Sequence, residues 1–314
     1  MSMHNQRTTY GETLVEMGRR DSRIVVLEAD LGKSTMTHMF QKAYPERYFE
    51  MGIAEQNMVS FAAGLALTGK IAFVNSFAVF ASGRTYDQIR QSVCTAGLNV
   101  KVIGSSSGLS DFGDGATHQS VEDIAIMRAI PGMTVLAPAD AVETRKMLEV
   151  VTAYDGPVYI RISRNDLPDV FPEDMSFEIG KPYVLREGKD ITVFAHGVMV
   201  SKALAAAEEL LKEGISLKVV NVSSLKPVDE KAILELAGGV EGVITVEEHS
   251  CIGGLSSIVT GILRGKAIPV EIIAIQDMFG QSAGNYQELL DCYGLNEVEI
   301  IKAARRIMNR EGVV

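Results

Sequence analysis

Short runs rich in Val and Ile recur along the whole chain, separated by longer segments whose apolar residues repeat at helical spacing. This alternation limits the fold more than any other feature. A run of about four to eight apolar residues suits a strand buried on both faces, and the intervening segments are long enough to be crossover helices. In the first half, strands are expected at Arg23–Glu28, Ile71–Asn75, Val100–Gly104, Met133–Ala137 and Val158–Ser163, with helices at Glu55–Leu67 and Ala139–Tyr154. The second half repeats the pattern with strands near Ile191–Ala195, Leu217–Val222, Val243–Glu247 and Val270–Ile275. Its helices are expected near Ser201–Lys212, Asp229–Ala237, Gly253–Arg264 and Glu297–Met308. The pattern predicts an α/β protein whose parallel sheets are covered by helices.

The periodicity lapses between 165 and 190, where Asn165-Asp166-Leu167-Pro168-Asp169 and Phe171-Pro172-Glu173-Asp174 are rich in turn formers. Two domains follow, residues 1–170 and 190–314, joined by a linker over 171–189. With 314 residues, of which 46% are hydrophobic, the chain can fill two cores. A net charge of -10 without a basic run argues against a nucleic-acid surface. Cys94, Cys251 and Cys292 are too widely spaced for a zinc pattern or a disulfide framework, and read as buried thiols of a reducing compartment. No apolar run reaches the roughly 18 residues that span a bilayer, so the expectation is a soluble cytoplasmic protein without a membrane partner.

Chemistry concentrates in two stretches. In Gly52-Ile53-Ala54-Glu55-Gln56-Asn57-Met58, Glu55 opens an apolar helix that puts Met58, Phe61, Ala62 and Leu65 on one face. A carboxylate in a first turn is favoured by the helix dipole whatever its task. In Asp114-Gly115-Ala116-Thr117-His118-Gln119, a carboxylate and an imidazole four residues apart end the long loop Ser105–Gln119. Loops of this length inside compact domains usually carry function. Ser120 followed by Asp123 has the form of a capping box that would start the next helix. Between the two stretches, Phe77 and Phe80 stand three apart where a strand ends, as core residues or as a flat apolar clamp. Arg7, Ser34 and Arg164 also lie at element ends, and arginine's planar fork suits tetrahedral oxyanions as well as surface carboxylates.

The Gly52–Met58 and Asp114–Gln119 stretches together resemble the pyrimidine-binding half of the transketolase family of thiamin diphosphate enzymes. His196-Gly197, Glu247-Glu248-His249 and Gly253-Gly254 are similar to the family's C-terminal domain. The resemblance covers nearly the whole chain. It implies that Glu55 hydrogen-bonds the N1′ nitrogen of the cofactor's aminopyrimidine and favours the tautomer that generates the carbanion. It further implies that Phe77 and Phe80 stack on that ring and that Asp30 lies toward the thiazolium. Asp114 and His118 would contact the donor's hydroxyls, and Arg7, Ser34 and Arg164 its terminal phosphate. Two departures are visible: Gly83-Arg84 follows where the family has a tyrosine, and Ser106 replaces a histidine of the phosphate clamp. The second makes a branched sugar phosphate or a sulfonated ketose a credible substrate.

The family binds diphosphate and Mg²⁺ through Gly-Asp-Gly followed by an Asn. Gly113-Asp114-Gly115 imitates the first part, but no Asn occurs between 116 and 164, so no metal ligand is assigned to this chain. His249 beside two acidic residues is not read as a metal site either, because consecutive strand residues face alternate sides. The resemblance therefore implies an N-terminal partner subunit carrying the missing motif, Mg²⁺ held mainly by that partner, and an α2β2 assembly. The implied reaction moves a two-carbon ketol unit from an anionic ketose to an aldose. Also open are the β subunit of a 2-oxo acid dehydrogenase, a deoxyxylulose-phosphate synthase fragment and a non-catalytic paralogue.

Overall fold

The structure is a computed structural model that describes residues 2–309. Met1 and residues 310–314, the outer ends of the two expected domains, lie outside the described residues. In chain order the first half supplies β1 (Met3–Asn5), β2 (Ile24–Glu28), β3 (Tyr48–Glu50), β4 (Ile71–Phe77), β5 (Val100–Ser105), β6 (Thr134–Leu136), β7 (Val158–Arg161) and β8 (Asp166–Pro168). From the second half come β9 (Tyr183–Arg186), β10 (Ile191–Ala195), β11 (Leu217–Asn221), β12 (Ser224–Lys226), β13 (Gly242–Ser250) and β14 (Val270–Ile275).

One sheet has the order β12-β6-β7-β5-β4-β2-β3, and the other β14-β13-β10-β11-β9. Apart from β12 and β9, the pairings within them are parallel. The expected strands are present, and their burial explains their composition. All five residues of β2 and all seven of β4 are buried, so neither strand can alternate polar and apolar residues.

Helices cover both faces of the first sheet. On one side, Tyr10, Leu14 and Met17 of the helix Gln6–Arg20 pack with Met147, Leu148 and Val151 of the helix Ala141–Ala153. Asn5 caps the first of these, its side-chain oxygen accepting from the amides of Arg7 and Thr8. The opposite face carries Met58, Val59 and Ala62 of the helix Glu55–Leu67, with Ile124 and Met127 of the helix Asp123–Ala129. Each such large apolar side chain contributes about 1.5–3 kcal/mol by leaving water.

Several elements differ from the sequence expectation. The helix after the long loop begins at Asp123 with Glu122 as its N-cap and no side-chain cap; the Ser120 hydroxyl is buried without a partner. Ser120 anchors the loop through its backbone instead, its amide donating to the Gly108 carbonyl at 3.1 Å. Tyr183–Arg186, inside the expected 171–189 linker, pairs antiparallel with β11 as the edge of the second sheet. The strand β12 crosses back to extend the first sheet, pairing antiparallel with β6. Of the three cysteines expected to be buried, Cys94 and Cys251 are partly buried and Cys292 is exposed. Among the described residues, no helix is long and apolar enough to cross a membrane.

The two halves share a buried polar seam. Glu143 accepts from Ser223 Oγ at 2.5 Å, Asn221 Nδ2 at 2.9 Å and the Ala139 amide at 2.6 Å. Burial raises its carboxyl to about 7 against the pull of those donors. Arg161, at the end of β7, reaches both Asp123 and Glu248 while fully buried.

Candidate active site

Apart from Arg7, which lies in the first turn of the helix Gln6–Arg20, the expected site residues lie at or past the carboxyl ends of the parallel strands β2, β3, β4, β5 and β7, where open α/β sheets bind ligands. After β3 the chain turns through Gly52, whose φ of +66° a side chain would resist. The Glu50 carboxylate steadies this corner, accepting from the amides of Gly52 at 3.0 Å and Asp30 at 2.9 Å. Glu55 follows as the first residue of its helix and is only 4% exposed. Its Oε1 accepts from Arg84 Nη1 at 3.0 Å. Among the described residues no group donates to its Oε2.

The aromatic pair stands beside this carboxyl. Phe77 ends β4 and stacks on Phe80, with ring centroids 6.2 Å apart and planes inclined by 15°. His118 meets both rings edge-on, at 6.2 Å from Phe77 and 5.4 Å from Phe80. The Arg84 guanidinium lies over the Phe80 ring, 4.5 Å from its centroid. Phe80 to Arg84 form a π-helical turn, which holds one more residue than an α turn and carries Arg84 round to Glu55. Contacts through Arg84 and between the rings thus link Glu55, Phe77, Phe80 and His118. Arg84, seen in the sequence only as a departure, proves to be the link between the carboxyl and the rings.

The loop Ser105–Gln119 is held from both halves of the chain. Glu248 Oε1 accepts from the Leu109 amide at 2.8 Å, and the Ala283 amide donates to the Phe112 carbonyl at 2.9 Å. Gln119 Nε2 donates to the carbonyls of Asp111 and Gln281. These bonds leave Asp114 exposed and His118 half-buried at the tip, with His118 Nδ1 3.0 Å from Thr117 Oγ1. The second domain therefore shapes the loop that carries Asp114 and His118.

Arg7, Ser34 and Arg164 also gather. Arg7 Nη1 donates to the Ser34 carbonyl at 2.7 Å, so it meets the backbone of Ser34 and not its hydroxyl. The short pairing of β1 with β8 brings Arg7 to the neighbourhood of Arg164. Burial, and then the charge of Arg164, hold the Arg7 guanidinium below its ordinary range. Arg164 Nη1 lies 2.6 Å from Asp111 Oδ2, and its guanidinium 5.9 Å from the Phe77 ring. Asp111 escaped the sequence reading because only the fold sets this loop residue against an arginine 53 positions away. Asp30 stands exposed just past β2 in a left-handed conformation (φ +61°), with no hydrogen bond to its carboxylate among the described residues. Ser106 is fully buried at φ +52°, its hydroxyl without a partner.

An undonated carboxyl oxygen beside stacked aromatic rings can receive a flat nitrogenous ring. The neighbouring imidazole, carboxylate and guanidinium groups can grip a polar, anionic molecule next to it. Among the described residues no group of three or more His, Cys, Asp or Glu could hold a metal ion.

Comparison with known proteins agrees with this geometry. Residues 2–170 match the transketolase pyrimidine binding domain, and residues 180–300 the transketolase C-terminal domain. A transketolase C-terminal section of Methanocaldococcus jannaschii is 45% identical, over 97% of this chain and 96% of that protein. The 6-deoxy-6-sulfo-D-fructose transketolase subunit of a Clostridium species (strain MSTE9) is 43% identical, over 98% of this chain and 96% of its own length. Among solved structures, a split-gene transketolase in the form of an inactive β4 tetramer is similar with a TM-score of 0.88. It is 44% identical, and the match covers 98% of this chain and 99% of that one.

Proposed function

The chain belongs to the transketolase family, and we propose that it is the pyrimidine-binding subunit of a split transketolase that transfers a two-carbon ketol unit from an anionic ketose to an aldose. The observation that carries this reading is the meeting of Glu55, Phe77, Phe80 and His118 at the strand ends, with Glu55 Oε2 accepting no hydrogen bond among the described residues. Relatives of nearly the same length that are themselves transketolase sections or subunits support the split arrangement.

The residues fit the aminopyrimidine of thiamin diphosphate, since the aromatic pair offers an apolar face and the buried carboxyl a partner for a ring nitrogen. The chemistry this cofactor supplies when bound is a carbanion nucleophile that adds to a ketose carbonyl and allows the C2–C3 bond to break. Glu55 holds the proton at the N1′ nitrogen, within a wall that keeps water from competing for it. Phe77 and Phe80 fix the plane of the ring and exclude solvent. Asp114 and His118 orient the donor's hydroxyls, and the imidazole moves a proton as the bond to the departing aldose breaks. Arg7, Ser34 and Arg164 face the donor's tail, and Asp30 lies toward the thiazolium side. The diphosphate and its Mg²⁺ belong to a partner subunit with Gly-Asp-Gly and a following Asn, in an α2β2 complex of the cytoplasm.

The isolated chain is accordingly expected to bind thiamin diphosphate at least about a hundredfold more weakly than the complex, with no turnover. Titration of cofactor into the chain alone and into the coexpressed complex, followed by a two-carbon transfer assay, checks this. Tight cofactor binding by the isolated chain, or silence of a cofactor-loaded complex across ketose donors, would overturn the proposal.

A further inference from the structure

The end of the site where Arg7 and Arg164 meet carries a third charged group that a simple anion clamp lacks. The Asp111 side chain is 4% exposed, and its Oδ2 lies 2.6 Å from Arg164 Nη1, whereas the Arg164 side chain is 33% exposed. Arg164 therefore faces the site with a buried counter-ion at its back. Asp111 is also within electrostatic reach of Asp114 and His118, which puts it beside the groups assigned to the donor's hydroxyls. Asp111 thus offsets part of the positive charge that the two guanidinium groups bring to where the tail would sit. Ser106, the residue that departs from the family in this loop, is fully buried with its hydroxyl unpartnered and does not alter this balance.

We propose that Asp111 sets the charge the tail-binding end accepts, and that it selects ketoses ending in a singly charged group, such as a sulfonate, over those ending in a phosphate ester. This rests on the split-transketolase reading above. A phosphate ester carries about 1.5 to 2 negative charges near pH 7, whereas a sulfonate carries one. A tail anion that reaches Arg164 comes up against a carboxylate already bonded to the same guanidinium. The added repulsion is larger for the more highly charged tail, and in a partly buried site it is weakly screened.

The test uses the coexpressed complex with thiamin diphosphate and Mg²⁺, and two ketose donors that differ only in carrying a terminal sulfonate or a terminal phosphate. In the native complex kcat/KM is expected to favour the sulfonate by at least about tenfold. In Asp111→Asn, which keeps the shape and an acceptor oxygen for Arg164, the ratio is expected to move toward the phosphate by at least about tenfold. A native preference for phosphate overturns the proposal, and so does a ratio that Asp111→Asn leaves in place. If that variant does not fold, the native ranking alone decides. Absence of two-carbon transfer from both donors in a cofactor-loaded complex is a separate outcome that removes the transketolase reading itself.

Discussion

Glu55→Gln is expected to lower two-carbon transfer by the reconstituted complex by about 10³-fold or more, and Glu55→Ala to abolish it, with assembly intact in both. The glutamine keeps the volume of a residue that is only 4% exposed, and its amide oxygen can still accept from Arg84 Nη1. What it cannot do is exchange a proton with a ring nitrogen. A positioned acid or base of this kind contributes about 10²–10⁴ in rate, and in the proposed mechanism the same carboxyl controls formation of the nucleophile that all later steps require. The alanine also leaves the Arg84 guanidinium without its carboxylate beside Phe80, so a further loss of cofactor affinity is expected from that variant alone. Rates of both variants with saturating cofactor, read beside gel filtration of the complexes, separate chemistry from assembly. Turnover of Glu55→Gln within tenfold of native would sink the assignment.

The parts of this site that were legible in the sequence are those that sit in one contiguous segment at a strand end. Glu55 opens the helix after β3, Phe77 closes β4, and His118 ends the loop after β5; periodicity marks these element ends, and the family resemblance singles out the residues on them. Arg84 was not legible as a partner of Glu55, because the π-helical turn Phe80–Arg84 breaks the 3.6-residue repeat by which a side chain's face is read. Asp111 was hidden for a different reason. Its partner Arg164 lies in the turn between β7 and β8, and a lone aspartate in a Gly-Ser-rich loop carries no periodic signal. The strands β1, β8, β9 and β12 are each three or four residues long and lie in two-stranded or edge positions, too short to alternate visibly. Yet β1 and β8 are what set Arg7 beside Arg164.

The same limit applies to the seam between the domains, where the largest effect on stability is expected. Arg161 Nε lies 3.0 Å from Asp123 Oδ2, Nη2 donates to the Glu248 carbonyl at 2.7 Å, and Nη1 is 3.9 Å from Glu248 Oε2. Asp123 accepts also from Tyr159 Oη at 2.7 Å, and Glu248 from Tyr286 Oη and the Leu109 amide, both at 2.8 Å. Arg161, Asp123, Tyr159 and Glu248 are all buried, so Arg161→Met would leave two carboxylates in the interior without their cation. Removing one partner from such a network costs about 3–5 kcal/mol. The loss should also depend on pH. Burial raises the Glu248 carboxyl to about 7 even with Arg161 drawing it down. A carboxyl raised on folding contributes stability that is present below its unfolded value, near 4.5, and is lost as pH climbs through its folded value. Without Arg161 the folded value rises further, so the deficit of the variant should be larger at pH 8 than at pH 6. Denaturant unfolding at the two pH values measures this, and Glu248→Gln added to Arg161→Met should recover part of the loss and reduce its pH dependence. A deficit below about 1 kcal/mol, the size of a surface ion pair, would mean that the seam is open to solvent and that Glu248 does not secure the loop through Leu109.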